Sequence, residues 1–171
     1  MDRLQLGQKL SIDTPECFVY NHTVLDQTMD LRNDLMKIVY PFAKVKTKEE
    51  FPEAAKAHLA GSAATNLKKL EGFCKGPYMC GDAPQSGDFA LFEMLDQHSI
   101  IATSIGETCP LEAFPKLKAL HAAMKANPAL ETYFKSAFHT DYPHNNGLIT
   151  HFTGLGEDYV YPTTDRSEIT H

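Results

Sequence analysis

The chain has 171 residues, 43% of them apolar, and a net charge of −6, which fits one domain with a sizeable core. The negative charge argues against nucleic acid or an anionic membrane surface as a partner. No apolar run approaches the ~20 residues that span a bilayer, so we expect no membrane insertion. The N-terminus lacks an apolar signal region, which predicts a cytoplasmic protein, or an organellar one whose targeting peptide has been removed.

The first long helix is predicted from about residue 15 to residue 40. Thr14 is a good N-cap, Pro15 suits the first helical position, and Pro41 ends the helix. Residues at helical spacing form one stripe along this helix, and they are Met29, Arg32, Met36 and Tyr40. An acidic edge beside it repeats every four residues and contains Asp26, Asp30 and Asp34.

The following segments predict an all-α bundle. A second helix is predicted over 49–72, a turn over 74–77, and a central helix over 86–104 that is apolar on most sides. Two further helices, 115–126 and 129–138, are separated by Asn127 and Pro128. We expect Phe89, Phe92 and Leu95 on the central helix to be almost fully buried.

The remainder, 139–171, reads as an irregular extension rich in Pro, Gly and Asn. It carries five acids and one base, and therefore −4 of the net charge. Its large apolar side chains are too many for a free tail; they are Leu148, Ile149, Phe152, Leu155, Tyr159, Val160 and Tyr161. We expect the extension to lie along the bundle or against a partner.

Cysteine and histidine patterns predict no metal site. The cysteines Cys17, Cys74, Cys80 and Cys109 form no CxxC pair, so we expect them to be reduced, partly buried residues. A second cluster of possible ligands comprises His139, Asp141, His144 and His151. It lacks the spacing of two helical ligands, so it indicates no metal.

Several ordered motifs lie between residues 81 and 133: Gly81-Asp82, Ser86-Gly87-Asp88-Phe89, Leu95-Asp96-Gln97-His98, a run over 111–117, and Asn127-Pro128. Together they resemble the helical C-terminal domain of glutathione transferases, most closely the mu class. The resemblance implies three regions: a lead-in over 1–14, the helical domain over 15–138, and the extension over 139–171.

The resemblance also implies roles for residues of the first and central helices. The run from Leu25 to Tyr40 looks like the first helix of the mu-class domain, where the residue matching Tyr40 faces the electrophile and the one matching Asp30 reaches glutathione across the dimer. We therefore expect a substrate pocket formed by Met29, Asp30, Arg32, Met36 and Tyr40. The alternative is that Tyr40 is a bundle tyrosine with its hydroxyl in water.

At the central helix, the resemblance implies a capping box with Asp88 as its acid and Phe89 as half of a hydrophobic staple. The cap position holds Gln85 where the family has Ser or Thr, and Ser86 is the other candidate for the cap. We expect these residues to be structural. His98 belongs to the family's Asp-Gln-His run, and we expect it to cap or pack.

In the family, a thioredoxin-like domain supplies the group that activates the glutathione thiol. Residues 1–14 hold no tyrosine and no strand pattern. We therefore expect no catalytic residue and no cofactor for this chain alone, with glutathione bound only where a thioredoxin-like partner is supplied. Two functions stay open. One is a non-catalytic interaction module in an assembly with other subunits or as a homodimer, and the other is a fragment or split glutathione transferase acting on hydrophobic electrophiles.

Overall fold

Seven α-helices form the regular structure of residues 15–155, the part of the chain that the computed structural model describes. They are α1 Pro15–Val39, α2 Phe51–His58, α3 Ala64–Phe73, α4 Ser86–Ser104, α5 Pro115–Lys125, α6 Glu131–Phe134 and α7 Ala137–Thr140. Within this described part, β-type pairing is limited to one isolated bridge between Tyr78 and Gly81. The prediction of an all-α fold is confirmed. No described helix has the length and apolar character needed to cross a membrane.

Helix α4 is the central element and packs against α1, α2 and α5. Its predicted bounds are confirmed, and Leu91, Leu95 and Ile101 on it are fully buried. Phe92 is also buried, but Phe89 is only half-buried. The prediction for Phe89 is wrong because this ring, although it packs against the core, also lines an open cavity.

Helix α1 begins at Pro15 and ends at Val39, as the sequence predicts. Thr14, the predicted N-cap, lies outside the described residues. The side of α1 that carries Leu31, Leu35 and Val39 is buried in the core. Of the predicted stripe, Met29 and Arg32 are exposed, whereas Met36 and Tyr40 are half-buried and pack against the core.

The predicted helix over 49–72 is interrupted. A π-helical turn, Leu59–Ala63, separates α2 from α3. The wider turn accompanies burial of the His58 ring, which contacts Ser62 in the same turn and His98 on α4. Such turns within α-helices are often found at functional sites. The predicted helix is therefore confirmed from Phe51 to Phe73, and the π-helical turn within it is the feature that the sequence did not predict.

The predicted helix over 129–138 is also broken into shorter pieces. A 3₁₀ turn, Pro128–Leu130, leads into α6, and α7 follows after Ser136. The backbone of Ser136 is extended, and its hydroxyl donates a hydrogen bond to the Tyr133 carbonyl at 2.6 Å. Serine side chains compete in this way with the hydrogen bonds of a helix, so the helix ends one turn after it begins.

Cys17 and Cys80 are joined in a disulfide whose Cα atoms are 6.1 Å apart. The bond links the first turn of α1 to the loop before α4, and it corrects the prediction that all four cysteines are reduced. Cys74 and Cys109 are free thiols. Cys74 is buried, and this burial raises the pKa of its thiol.

The described part of the extension folds back on itself and lies along the bundle. The His144 N–H donates to the Thr153 carbonyl at 2.8 Å, and the Asn145 side chain donates to the Phe152 carbonyl at 3.1 Å. Phe152 stacks on Phe51 with ring centroids 5.3 Å apart. Tyr159, Val160 and Tyr161, also expected to pack, lie outside the described residues.

Candidate functional site

The outer face of α1 carries the side chains that the sequence predicts for a substrate pocket. Met29 is 51% exposed, Asp30 and Arg32 are exposed, and Met36 is half-buried. These residues follow one another along the helix rather than surround a closed cavity, and the 11 steps from Met29 to Tyr40 correspond to about 16 Å at the rise of an α-helix. The solvent-open part of this face is the stretch with Met29, Asp30 and Arg32, whereas Met36 and Tyr40 pack against the core.

Tyr40 directly follows the end of α1 and is half-buried. Its hydroxyl oxygen accepts a hydrogen bond from the Asn146 backbone N–H at 3.0 Å, and its ring stacks on Phe42 at 5.7 Å. The hydroxyl is therefore in contact with the extension and not simply in water. Among the described residues, the bond from Asn146 is the one hydrogen bond that joins the Tyr40 hydroxyl to the extension.

The same part of the extension caps the C-terminus of α1. The last carbonyls of a helix have no partner within the helix. Here the Val39 carbonyl accepts hydrogen bonds from the His151 N–H at 2.7 Å and the Thr150 hydroxyl at 2.9 Å. The extension is thus held beside Tyr40 by backbone hydrogen bonds, which the sequence pattern did not predict.

A buried pair of histidines connects the π-helical turn to α4. His58 Nε2 lies 3.0 Å from His98 Nε2, His58 Nδ1 lies 2.8 Å from Ser62 Oγ, and His98 Nδ1 lies 2.6 Å from the Met94 carbonyl. The Met94 carbonyl requires a proton on His98 Nδ1. With both rings neutral, His98 Nε2 then accepts from His58 Nε2–H, and the Ser62 hydroxyl donates to His58 Nδ1.

The protonation behaviour of this pair follows from its burial. Burial, together with the neighbouring His98, lowers the pKa of His58 to about 3. Burial also lowers the pKa of His98 to about 4, against a smaller opposing effect of the Met94 carbonyl. The packing role expected for His98 is observed, whereas its partner His58 was missed.

An aromatic cavity of about 340 Å³ lies between α4 and the helices that follow α5. We call it the aromatic cavity; its lining residues are Phe89, Phe92, Glu93, Asp96, Leu130, Tyr133, Phe134, His139 and His144. Phe92 and Phe134 meet edge to face at 5.7 Å, and the rings of Tyr133 and Phe134 lie 5.4 Å apart. The His139 ring packs on both Tyr133 and Phe134.

Two carboxylates of α4 border the aromatic cavity. Asp96 accepts from His121 at 2.9 Å and from Lys125 at 2.8 Å. Burial opposes its ionisation, but these two bonds outweigh burial and lower its pKa to about 2. Burial raises the pKa of Tyr133, and the negative charges of Glu93 and Asp96 raise it further.

Metal binding has no support in this geometry. Within residues 15–155, no group of three His, Cys, Asp or Glu side chains is arranged to hold a metal ion. His139 packs on aromatic rings instead, and His151 contacts the Val45 carbonyl.

The helical arrangement and its motifs match a known family over residues 29–137, by the model described as glutathione S-transferase, C-terminal domain. The match covers more than half of the chain. The chain belongs to the glutathione S-transferase C-terminal domain family. No curated protein has a matching sequence.

A solved structure shares the fold of this glutathione S-transferase domain. It is the crystal structure of the glutathione S-transferase Blo t 8, with a TM-score of 0.69 and 23% sequence identity. The similarity covers 86% of this chain and 65% of Blo t 8. The chain therefore spans less than two thirds of that protein, and at this identity the similarity shows the fold alone.

The capping acid of the transferase domain is fully buried at the start of α4. Asp88 accepts hydrogen bonds from the Gln85 N–H at 2.8 Å and the Met79 N–H at 2.7 Å. Gln85 is the N-cap residue, and Ser86 is the first residue of the helix. Asp88 therefore orders the preceding loop as well as the helix, because Met79 lies nine residues before it.

Proposed function

We propose that the chain is a mu-like glutathione S-transferase C-terminal module that works by docking on another protein and does not conjugate glutathione by itself. The observation that carries this proposal is the solvent-open face of α1. Met29 lies at its middle and is 51% exposed, and Phe18 and Val19 near its start are 52% and 64% exposed. Such apolar exposure along one helix is typical of a surface that another protein covers.

The polar surroundings of this face also suit a protein partner. Asp30 and Arg32 flank Met29 and are exposed, and Asp26 lies one turn earlier. Protein interfaces commonly have an apolar centre with a polar rim that water reaches. The acidic residues of the rim favour a partner with basic side chains at matching positions. Another subunit of an assembly that presents basic side chains fits this surface better than a second copy of this chain, whose net charge is −6.

The thiol chemistry of the family supports a non-catalytic role for this chain alone. The family resemblance assigns thiol activation to a thioredoxin-like domain, and residues 15–155 form helices without a β-sheet. In addition, the Asn146 backbone N–H donates a hydrogen bond to the Tyr40 hydroxyl. An electrophile at Tyr40 must fit beside the extension.

The second candidate is a glutathione transferase fragment or split enzyme, completed by a separate thioredoxin-like chain. The Tyr40 hydroxyl favours it, because it accepts a hydrogen bond from the Asn146 N–H and so has a fixed position at the end of the helix. In that arrangement the two chains share one substrate site, and its helical wall is formed by Met29, Asp30, Arg32 and Met36.

Glutathione conjugation to chlorodinitrobenzene tests the claim that the chain does not conjugate glutathione by itself. We expect the purified full chain to show only the uncatalysed rate, with no change for Tyr40→Phe. Saturable turnover that is lost in Tyr40→Phe contradicts the proposal and supports the enzyme.

A further inference from the structure

The aromatic cavity has a chemistry that the proposed docking function does not use. Its volume of about 340 Å³ lies at the lower end of the range for small-molecule sites. The face of α1 and Tyr40 contribute no residue to its lining. The cavity is therefore a separate site of this chain.

The walls of the cavity are aromatic rings inclined to one another. The planes of Phe92 and Phe134 meet at 66°, and those of Tyr133 and Phe134 meet at 56°. Rings at such angles pack edge to face with one another, and all three also line the cavity. The face of an aromatic ring carries negative potential and attracts a cation placed above it.

The charged groups of the cavity leave an excess of negative charge. Asp96 is compensated by Lys125 and by its bond to His121. Glu93 forms no ion pair among the described residues; its carboxylate accepts from the Gln97 amide at 3.4 Å, and its charge also acts on the His144 ring of the same cavity. The two carboxylates act on the Tyr133 hydroxyl, so their field reaches the aromatic wall.

We propose that the aromatic cavity binds small organic cations, namely protonated or quaternary amines that carry an aromatic or aliphatic group. The rings of Phe92, Tyr133 and Phe134 surround the apolar part and the cationic head. Glu93 supplies the opposite charge. The same carboxylate repels an anion and so weakens its binding. A neutral apolar molecule binds only through its contact with the rings.

The test uses benzyltrimethylammonium as the probe and neopentylbenzene, its neutral analogue of nearly the same shape, as the comparison. Binding to the full chain is measured by ligand-detected NMR titration. We expect saturable binding of the cation and binding of the neutral analogue that is weaker by about 3- to 10-fold, the range that a cation–π contact and one nearby carboxylate supply. Equal binding of the two probes overturns the proposal.

Two variants and one control locate the site. The affinity for the cation should fall by about 3- to 10-fold in each of the variants Glu93→Gln and Phe134→Leu. Glu16→Gln removes an exposed acid outside the cavity and should leave the affinity unchanged. Glu93 is exposed, so its variant keeps the fold even where Phe134→Leu does not. An unchanged affinity of Glu93→Gln, or an equal loss in the control, overturns the assignment.

Discussion

Asn21 on α1 and Gly87 in the first turn of α4 hold the two helices in close contact. The Asn21 side-chain oxygen accepts a hydrogen bond from the Gly87 N–H at 2.8 Å, and its amide group donates to Ser86 Oγ at 2.9 Å. A Cβ atom at residue 87 would lie 2.8 Å from the same Asn21 oxygen. Glycine therefore permits the close approach, and Asn21 satisfies one of the free N–H groups at the start of α4.

The first prediction concerns Asn21→Ala. The change leaves the buried Gly87 N–H without a partner, and we expect a loss of about 1–3 kcal/mol in the free energy of unfolding. The matched control is Thr23→Ala on the same helix, whose exposed hydroxyl bonds only the Val19 carbonyl; it should change stability by less than about 0.5 kcal/mol. Urea denaturation measures both, and equal effects would contradict this account of Asn21.

The second prediction concerns Asp88→Ala. The side chain is fully buried and accepts from the backbone of both Gln85 and Met79. The variant loses the helix cap and leaves two N–H groups unpaired. We expect its free energy of unfolding to fall by about 2–4 kcal/mol, more than for the loss of an ordinary helix cap. Asp88→Asn keeps one acceptor oxygen and should cost less. A melting temperature that is unchanged in Asp88→Ala would show that neither N–H depends on the carboxylate.

The third prediction concerns pH and the pair His58–His98. Because burial lowers the pKa of His58 to about 3 and that of His98 to about 4, the unfolded chain binds protons that the folded chain does not. The stability from the neutral pair is complete above pH 6.5, the ordinary histidine pKa, and falls as pH decreases below it. Each histidine contributes about 1.4 kcal/mol per pH unit in this range.

Thermal melting between pH 7.5 and pH 5 checks this effect. We expect the melting temperature of the wild-type chain to fall steadily below pH 6.5. His98→Gln removes one titrating group and should be less stable at pH 7.5 but less sensitive to pH. His22→Gln, at an exposed position of α1, is the control and should retain the wild-type dependence. A melting temperature that is constant down to pH 5 is the contrary result.

Local signals predict much of this fold, and contacts between distant residues account for what they miss. Pro15 and Pro41 bound α1, and the apolar run after Ser86 predicts α4 to the residue. The contact between His58 and His98 joins residues 40 apart, so no local pattern reports it. The same holds for Cys17 and Cys80, separated by 63 residues.

The predicted substrate pocket on α1 likewise shows that local patterns do not report contacts between distant residues. Helical spacing groups Met29, Arg32 and Met36 in one stripe, because periodicity is a local property, but it does not report that Met36 packs against the core. It could not predict that Asn146 reaches Tyr40, since the two residues are 106 positions apart. The aromatic cavity likewise forms between α4 and segments 30 to 50 residues later in the chain, where the break at Ser136 alters the predicted helix.

The fourth prediction tests the docking proposal at Met29. Met29→Glu places a charge at the centre of the exposed face without disturbing buried contacts, because this side chain is 51% exposed. We expect the variant to keep the wild-type melting temperature and to lose its association with the partner. Lys118→Glu, at an exposed position of α5, is the control and should associate normally.

The claim that this protein functions by docking on another protein is tested most directly by its native mass. The protein is affinity-purified from an extract of its own cells, and its mass is measured by size-exclusion chromatography with light scattering. The account predicts a particle well above the monomer mass of 19.1 kDa, reduced to that mass by Met29→Glu and not by Lys118→Glu. A wild-type protein that elutes as a 19.1 kDa monomer would contradict the claim that it functions by docking on another protein.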